Sequence, residues 1–258
     1  MNNMLSGIVG YPDLILMDLS EDDPLKKMII TIQKSGLRAA SIVQDMLTLA
    51  RRGVTTTEVA NVNTVISEYL NSPEHKKLLS FHPGVELKTE FEPDLLNILG
   101  SPVHLAKTVM NLVSNAAESM PDDGTIWIST ENKYIDRAIN GYDDVIEGDY
   151  VALTVTDNGS GISPEDKERI FEPFYTKKAM GRSGTGLGMA VVWGTVKDHN
   201  GYIDVKSAEG QGSAFTLYLP ITREALPEAF PALDVKDYRG SGELVLVVDD
   251  IADQREIA

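Results

Sequence analysis

Hydrophobic residues recur at three- and four-residue steps through the first fifty positions, which is the spacing of amphipathic helices. The steps are clearest over residues 25–50, and Pro24 suits the first turn of that helix. A less regular apolar series precedes it, in which Pro12 must remove one backbone hydrogen bond. The pattern predicts a helix, a turn and a helix over residues 1–53.

A two-helix hairpin of this size has too little interior to be stable alone. Its apolar stripe can meet a second copy in a four-helix bundle, or it can pack on the rest of its own chain. We expect the first arrangement, a homodimer formed through residues 1–53.

From residue 54 the pattern mixes helix and strand, so the fold class expected is α+β. Helices are predicted at Val62–Leu70, Pro102–Met120 and about 185–199. Strands are predicted at Val85–Phe91, Leu95–Leu99, 125–132, 150–156, 202–206 and 213–219. The stretch 157–184 is rich in glycine and proline and has no sustained period, and loops of such length inside a domain are usually functional.

The last part of the chain differs from both preceding parts. Residues 223–242 carry prolines and alternating charge, which is typical of a linker. Residues 243–258 begin with an apolar strand that ends in Asp249 and Asp250. We therefore divide the chain at 1–53, 54–222, 223–242 and 243–258.

Charge narrows the classes of partner. Lysine and arginine number 23 against 39 aspartates and glutamates, a net charge of −16, so no nucleic acid partner is expected. The absence of cysteine excludes disulfides and thiolate chemistry. No apolar run approaches the roughly 18 to 20 residues of a spanning helix, so we expect a cytoplasmic chain without a membrane segment.

Three groups of residues could carry chemistry, and the first lies on the helix predicted at Pro102–Met120. Asn111 and Asn115 are four residues apart and share one face with Lys107. Their neutral carboxamide oxygens suit a hard cation such as Mg²⁺, which is usually coordinated by phosphate oxygens and several water molecules as well. A solvated or capping asparagine pair would show the same spacing.

The second group, Asp157, Gly159, Gly161 and Ile162, directly follows an apolar strand. A carboxylate at a strand end can accept a hydrogen bond from an exocyclic amine, and the glycines allow backbone to approach a flat ring. A plain turn has the same composition.

The third group places glycines 184, 186 and 188 at a helix start, where free backbone N–H groups favour an anion. No lysine follows Gly188, so this is not the G-x-x-x-x-G-K-[ST] phosphate loop. No strand immediately precedes it, which disfavours a dinucleotide fingerprint. A glycine-rich surface loop without a ligand is the alternative.

The order of these groups resembles the GHKL ATPase superfamily, and within it the catalytic domain of sensor histidine kinases. Asn111–Asn115 resembles the asparagine box, Asp157–Ile162 the first glycine box, Phe171–Phe174 the phenylalanine box and Gly184–Gly188 the second glycine box. The hairpin resembles the dimerisation and histidine-phosphotransfer domain, and the strand at 243 resembles the start of a receiver domain, as in a hybrid kinase.

The resemblance implies a two-layer α/β sandwich after the hairpin, with ATP and Mg²⁺ as ligands. It implies that Asn115 ligates Mg²⁺, that Asp157 accepts from the adenine amino group, and that Gly159, Gly161 and Ile162 form the floor and hinge of the pocket. Asn111 occupies the position at which hydrolysing relatives carry a glutamate base. An amide cannot take a proton from water, so phosphate should go to a histidine.

The same resemblance makes residues 163–184 a mobile lid, with Thr176 and Lys177 near the phosphates. The end of the lid would be anchored by Gly184, Thr185, Gly186, Leu187 and Gly188. Glu118 joins the expected nucleotide-binding set, although many histidine kinases carry Lys or Arg there.

The family's acceptor histidine aligns two residues before Met1, and the histidines of this chain are His75, His82, His104 and His199. We expect a histidine kinase core whose phosphoryl group passes to a receiver domain or response regulator, in a chain that cannot phosphorylate itself as written. The alternatives are a nucleotide-sensing dimeric scaffold without kinase activity and an ATPase of the chaperone or mismatch-repair type.

Overall fold

A computed structural model describes residues 2–20, 22–50, 57–120, 122–140, 142–177 and 185–226. They belong to two compact units that divide between Leu47 and Thr48. The predicted receiver strand and residues 227–242 of the predicted linker lie outside the described residues. The division into four domains therefore stays a prediction.

The first unit contains the two predicted helices, α1 (Asn2–Asp18) and the first part of α2 (Lys26–Ala50). Helix α1 continues through Pro12. The two helices contact each other where Gln33 Nε2 donates to Asp13 Oδ1 and where Gly36 lies against Ile8. Large apolar side chains nevertheless stay exposed on this unit: Ile8, Leu14, Ile15, Met17, Leu25, Met28, Ile32, Leu37 and Met46.

The second unit is built on a seven-stranded mixed sheet. The strands of the chain are β1 (Glu58–Ala60), β2 (Val85–Phe91), β3 (Asn97–Gly100), β4 (Gly124–Ile135), β5 (Ile139–Asn140), β6 (Asp144–Val145), β7 (Gly148–Asp157), β8 (Tyr202–Ser207) and β9 (Ser213–Thr222). The sheet order is β1-β3-β9-β7-β4-β2, with β8 also paired to β9. Among the described strands only the β2–β4 pair is parallel, while β5 and β6 form a separate small hairpin.

Helices cover one face of this sheet. The described helices of this unit are α3 (Val62–Asn71), α4 (Pro73–Phe81), α5 (Pro102–Glu118), α6 (Pro164–Lys167) and α7 (Gly188–Asp198), of which α5 and α7 contact the sheet, α3 packs on α5, and α4 packs on α3. Helix α5 contacts β4, β7, α3 and α7, so it is the centre of the helical layer. Leu112 and Val113 of α5 and Leu153 of β7 are almost fully buried in the core between the layers. The structure therefore confirms an α+β chain with a two-layer α/β sandwich.

The strongly periodic segments of this unit were predicted correctly, and the short ones were missed. Helix α4 is an example, because its apolar residues are few and only His75 is buried. Its start is instead fixed locally, since Ser72 Oγ accepts from the His75 N–H and Pro73 occupies the first turn. Strand β1, the β5–β6 hairpin and α6 were missed for the same reason: each has two to four residues.

Within the described residues, no helix is both long enough and apolar enough to cross a membrane.

Candidate functional site

The asparagine helix α5 meets described residues of both other groups predicted from sequence. The Asn111 carboxamide of α5 donates from Nδ2 to the Gly188 carbonyl oxygen at 3.1 Å, which ties α5 to the first residue of α7. At the end of the same helix, Ser119 Oγ donates to Asp157 Oδ1 at 3.1 Å. The asparagine helix thus contacts both glycine-rich segments directly.

The two asparagines differ in what they do. Asn111 is half-buried and uses its NH₂ group on Gly188, so its carboxamide orientation is fixed. Asn115 is also half-buried, but its carboxamide makes no hydrogen bond to another described residue. Glu118, one turn further, accepts from Ser114 Oγ at 3.3 Å. Asn115 is therefore the residue of this face that is best placed to bind a ligand.

Asp157 is a buried carboxylate, with a relative exposure of 5%. Its Oδ1 accepts from the Gly159 N–H at 2.8 Å and from Ser119 Oγ. Burial raises the pKa of Asp157 above its usual value, and these hydrogen bonds oppose the rise by stabilising the charged form. The result is an oriented acceptor at the end of β7.

The glycines after Asp157 are required by the protein itself. A Cβ on Gly159 would lie 2.0 Å from Ser119 Oγ, and one on Gly161 would lie 1.9 Å from the Ala208 carbonyl oxygen. Gly161 also has φ +68°, a conformation that other residues rarely adopt. Within the protein, these close approaches are to Ser119 at the end of α5 and to the turn between β8 and β9, and the predicted approach of the same glycines to a flat ring stays a prediction.

That turn supports the loop in a way that the sequence reading missed. Ser207 Oγ accepts from the Ile162 N–H at 2.8 Å and donates to the Gly212 carbonyl at 2.8 Å. Ser119 was missed as well, although it follows the asparagine motif directly. A serine next to a motif is too common to signal a role, and only the approach of α5 to β7 gives this one its partner.

The start of the predicted lid is ordered by its own residues. Ser163 caps α6, and Phe171 is buried while Phe174 is exposed. The Phe174 N–H donates to the Gly186 carbonyl at 2.9 Å, so the phenylalanine segment is held against the second glycine segment. Gly184 and residues 178–183 lie outside the described residues.

Lys177 is paired within the lid. Its Nζ contacts Asp166, whose carboxylate also accepts from the Tyr175 hydroxyl at 2.6 Å. The Lys177 ammonium and the Tyr175 hydroxyl lower the pKa of Asp166 to about 2. Lys177 and Thr176 are exposed. Because the Lys177 end of this ion pair is exposed, an incoming phosphate can reach the ammonium and compete with Asp166 for it.

The end of the lid leads into α7. Leu187 is fully buried and its N–H donates to Thr185 Oγ1 at 3.2 Å. Helix α7 begins at Gly188, and no side chain caps its N-terminus. The first N–H groups of a helix lack intrahelical partners and favour an anion.

The two buried histidines, His199 and His75, have their contacts outside this group of residues. His199 is buried at the end of α7, where Nε2 accepts from the Ser101 N–H at 2.9 Å and Nδ1 lies 2.7 Å from the Thr195 carbonyl. Burial lowers the pKa of His199, so the neutral ring is favoured. His75 is buried against the ring of Tyr69.

Comparison with known proteins gives one family and several relatives. Residues 100–223 match the family described as histidine kinase-, DNA gyrase B- and HSP90-like ATPase. Sensor kinase CckA of Brucella abortus is 34% identical over 262 residues, covering 97% of this chain and 27% of the relative. Sensor-like histidine kinase SenX3 of Mycobacterium bovis is 34% identical over 204 residues, covering 78% and 45%. The chain therefore spans less than half the length of these relatives.

Solved structures show the same fold. Full-length ShkA in complex with AMPPNP has a TM-score of 0.66 at 23% identity and covers 87% of this chain and 44% of that chain. The catalytic domain of histidine kinase ThkA has a TM-score of 0.51 at 25% identity, covering 64% and 95%. ThkA in complex with the response regulator protein TrrA has a TM-score of 0.56 at 22% identity, covering 86% and 59%.

Proposed function

Because the chain belongs to the sensor histidine kinases and contains their ATPase domain over residues 100–223, we propose that it binds Mg-ATP for phosphoryl transfer to a histidine. From that histidine the phosphoryl group would pass to the aspartate of a receiver domain or response regulator. The observation that carries the proposal is the buried, oriented Asp157, tied through Ser119 to the helix that bears Asn111 and Asn115. A hydrogen-bond acceptor for the adenine base is thereby connected to the side chains that would bind the metal ion and the phosphates.

In this proposal the Asp157 carboxylate accepts a hydrogen bond from the adenine amino group. Gly159, Gly161 and Ile162 form the floor and hinge of the pocket: the Gly159 N–H donates to the Asp157 carboxylate, Gly161 lies against Ala208, and the Ile162 N–H donates to Ser207. Gly159 and Ser119 hold the Asp157 carboxylate through hydrogen bonds to Oδ1.

The phosphates and the metal ion belong to the neighbouring elements. The carboxamide oxygen of Asn115 is a hard, neutral ligand and fits Mg²⁺, whose bound form would screen the charge of the phosphates. The same phosphates can be bound by the ammonium of Lys177, the hydroxyl of Thr176 and the free backbone N–H groups at the start of α7.

Asn111 decides between transfer and hydrolysis. Its carboxamide cannot accept a proton from water, and its NH₂ group already donates to Gly188. The chain then holds ATP without activating water, which favours transfer to a histidine. This argues against an ATPase of the chaperone or mismatch-repair type.

The direct test is calorimetric titration of chain 1–258 with AMPPNP and with the matching guanine nucleotide, each with and without Mg²⁺. Adenine is expected to bind at least about tenfold more tightly, because guanine presents a carbonyl oxygen where adenine presents the amine that Asp157 accepts. Removing Mg²⁺ should weaken the binding of AMPPNP. The binding of adenosine, which has no phosphates, should stay unchanged. Equal affinity for the two bases would contradict the proposal.

The exposed apolar side chains of α1 and α2 support a second part of the proposal, a homodimer through residues 1–53. Two such hairpins bury their stripes in a four-helix bundle. We expect a dimer by light scattering at tens of micromolar. Ile32→Glu should shift it toward monomer, whereas Lys34→Glu, an exposed neighbour with a larger charge change, should not. A monomeric parent chain would refute the bundle.

A further inference from the structure

Three aromatic rings meet outside the motifs of the site. The centroid of the Tyr142 ring lies 4.9 Å from the centroid of the Phe171 ring and 5.8 Å from that of the Trp193 ring, and both contacts are edge-to-face. The centroids of the Phe171 and Trp193 rings are 5.2 Å apart. Tyr142 belongs to the connection between β5 and β6, Phe171 to the start of the lid and Trp193 to α7. Three segments that are separate in sequence are therefore packed at one point.

Polar contacts hold Tyr142 in this position. Its hydroxyl lies 3.4 Å from the Glu168 carbonyl, directly after α6, and its N–H donates to Asp204 Oδ1 at 3.3 Å. The next residue, Asp143, forms an ion pair with Lys197 of α7, whose ammonium lies 4.5 Å above the Trp193 ring. The β5–β6 connection is thus attached to α7 on one side and to the lid on the other.

Phe171 transmits this attachment to the site. It precedes Phe174 by three residues, and Phe174 donates its N–H to Gly186, which stands two residues before the start of α7. Phe171 therefore lies three residues from the point at which the phenylalanine segment is hydrogen-bonded to the segment that leads into α7. None of these contacts involves Asn115 or Asp157.

We propose that Tyr142 is a positioning residue for the nucleotide lid: through Phe171 it fixes the base of the lid against α7. The inference rests on the proposed binding of ATP at this site and adds a residue from outside its four motifs. The ring supplies the attachment, because edge-to-face aromatic contacts are favourable in themselves, while the hydroxyl contact at 3.4 Å is long and contributes less.

The test compares Tyr142→Ala with Tyr142→Phe in a Trp127→Phe background, where Trp193 is the single tryptophan. Tyr134→Ala is the matched control, since Tyr134 is exposed on β4 and has no ring contact among the described residues. Tyr142→Ala should weaken AMPPNP binding by about tenfold, the loss expected for two aromatic contacts. Tyr142→Phe and Tyr134→Ala should retain the parent affinity.

Hydrogen exchange and Trp193 emission, both measured without nucleotide, separate this role from general stability. Tyr142→Ala should speed exchange over residues 163–177 and shift Trp193 emission, while exchange over 150–157 and 213–222 stays unchanged. Unchanged exchange in the lid, or an equal rise throughout the domain, would overturn the proposal. If the parent chain binds no nucleotide, the proposed function fails, and these two nucleotide-free measurements still decide the role of Tyr142.

Discussion

Chain 1–258 incubated with γ-labelled ATP is expected to gain no acid-labile phosphate. Phosphoryl transfer depends on placing a nucleophile in line with the γ-phosphate, and no histidine lies within residues 1–53. His199 cannot serve, because both of its ring nitrogens are engaged inside the domain, and His75 is buried against Tyr69. The expected signal is therefore background.

Adding a His-Asp-Xaa stretch ahead of Asn2 should restore the label, since it creates the acceptor motif of the family on α1. The same extension with glutamine in place of histidine is the control and should stay unlabelled. Acid-labile label on the unextended chain would show that the alignment of the acceptor histidine two residues before Met1 is wrong and that another histidine accepts the phosphoryl group.

Asp157→Asn is expected to weaken ATP binding by about ten- to hundredfold, or about 1–3 kcal/mol. The amide has the shape of the carboxyl group, but it has lost the charge and can present an NH₂ donor to the adenine amine. The measurement is calorimetry with AMPPNP and Mg²⁺. Asp149→Asn is the matched control, because this substitution removes the same charge at an exposed position near the other end of β7.

The pH dependence gives an independent check on Asp157. Its carboxyl binds adenine best when ionised, and burial raises its pKa above the usual value. The advantage of the parent chain over Asp157→Asn should therefore shrink as the pH falls through that raised pKa, while Asp149→Asn follows the parent throughout. Equal affinities of parent and Asp157→Asn at neutral pH would remove Asp157 from the site.

Much of the second unit could be predicted because its signals are local. The alternation of β2 and the three- to four-residue period of α5 report directly which face of each element is buried. The same holds for α2, whose period predicted the helix but left its partner open. Short elements such as α4 carry too few apolar residues for a period, so local caps determine them instead.

The candidate site was predictable in its residue types and less so in its contacts. Asn111, Asp157 and Gly161 were singled out because their chemistry and spacing are unusual. The Asn111 amide donates to the Gly188 carbonyl, and the Ala208 carbonyl leaves no room for a side chain at position 161. Both contacts depend on the distances between elements. The place of Lys177 near phosphates follows from resemblance and stays a prediction, while its ion pair with Asp166 became visible only in the structure.

The sequence by itself determined the order of the longer helices and strands, the family motifs and the excess of acidic charge, because each follows from neighbouring residues or from simple counts. Only the tertiary structure decided that Ser119 orients Asp157 and that Tyr142 meets Phe171 and Trp193. These partners are tens of residues apart, and their encounter depends on how α5, the sheet and the β5–β6 hairpin pack. Packing of that kind is a property of the whole folded domain, so no local pattern of side chains encodes it.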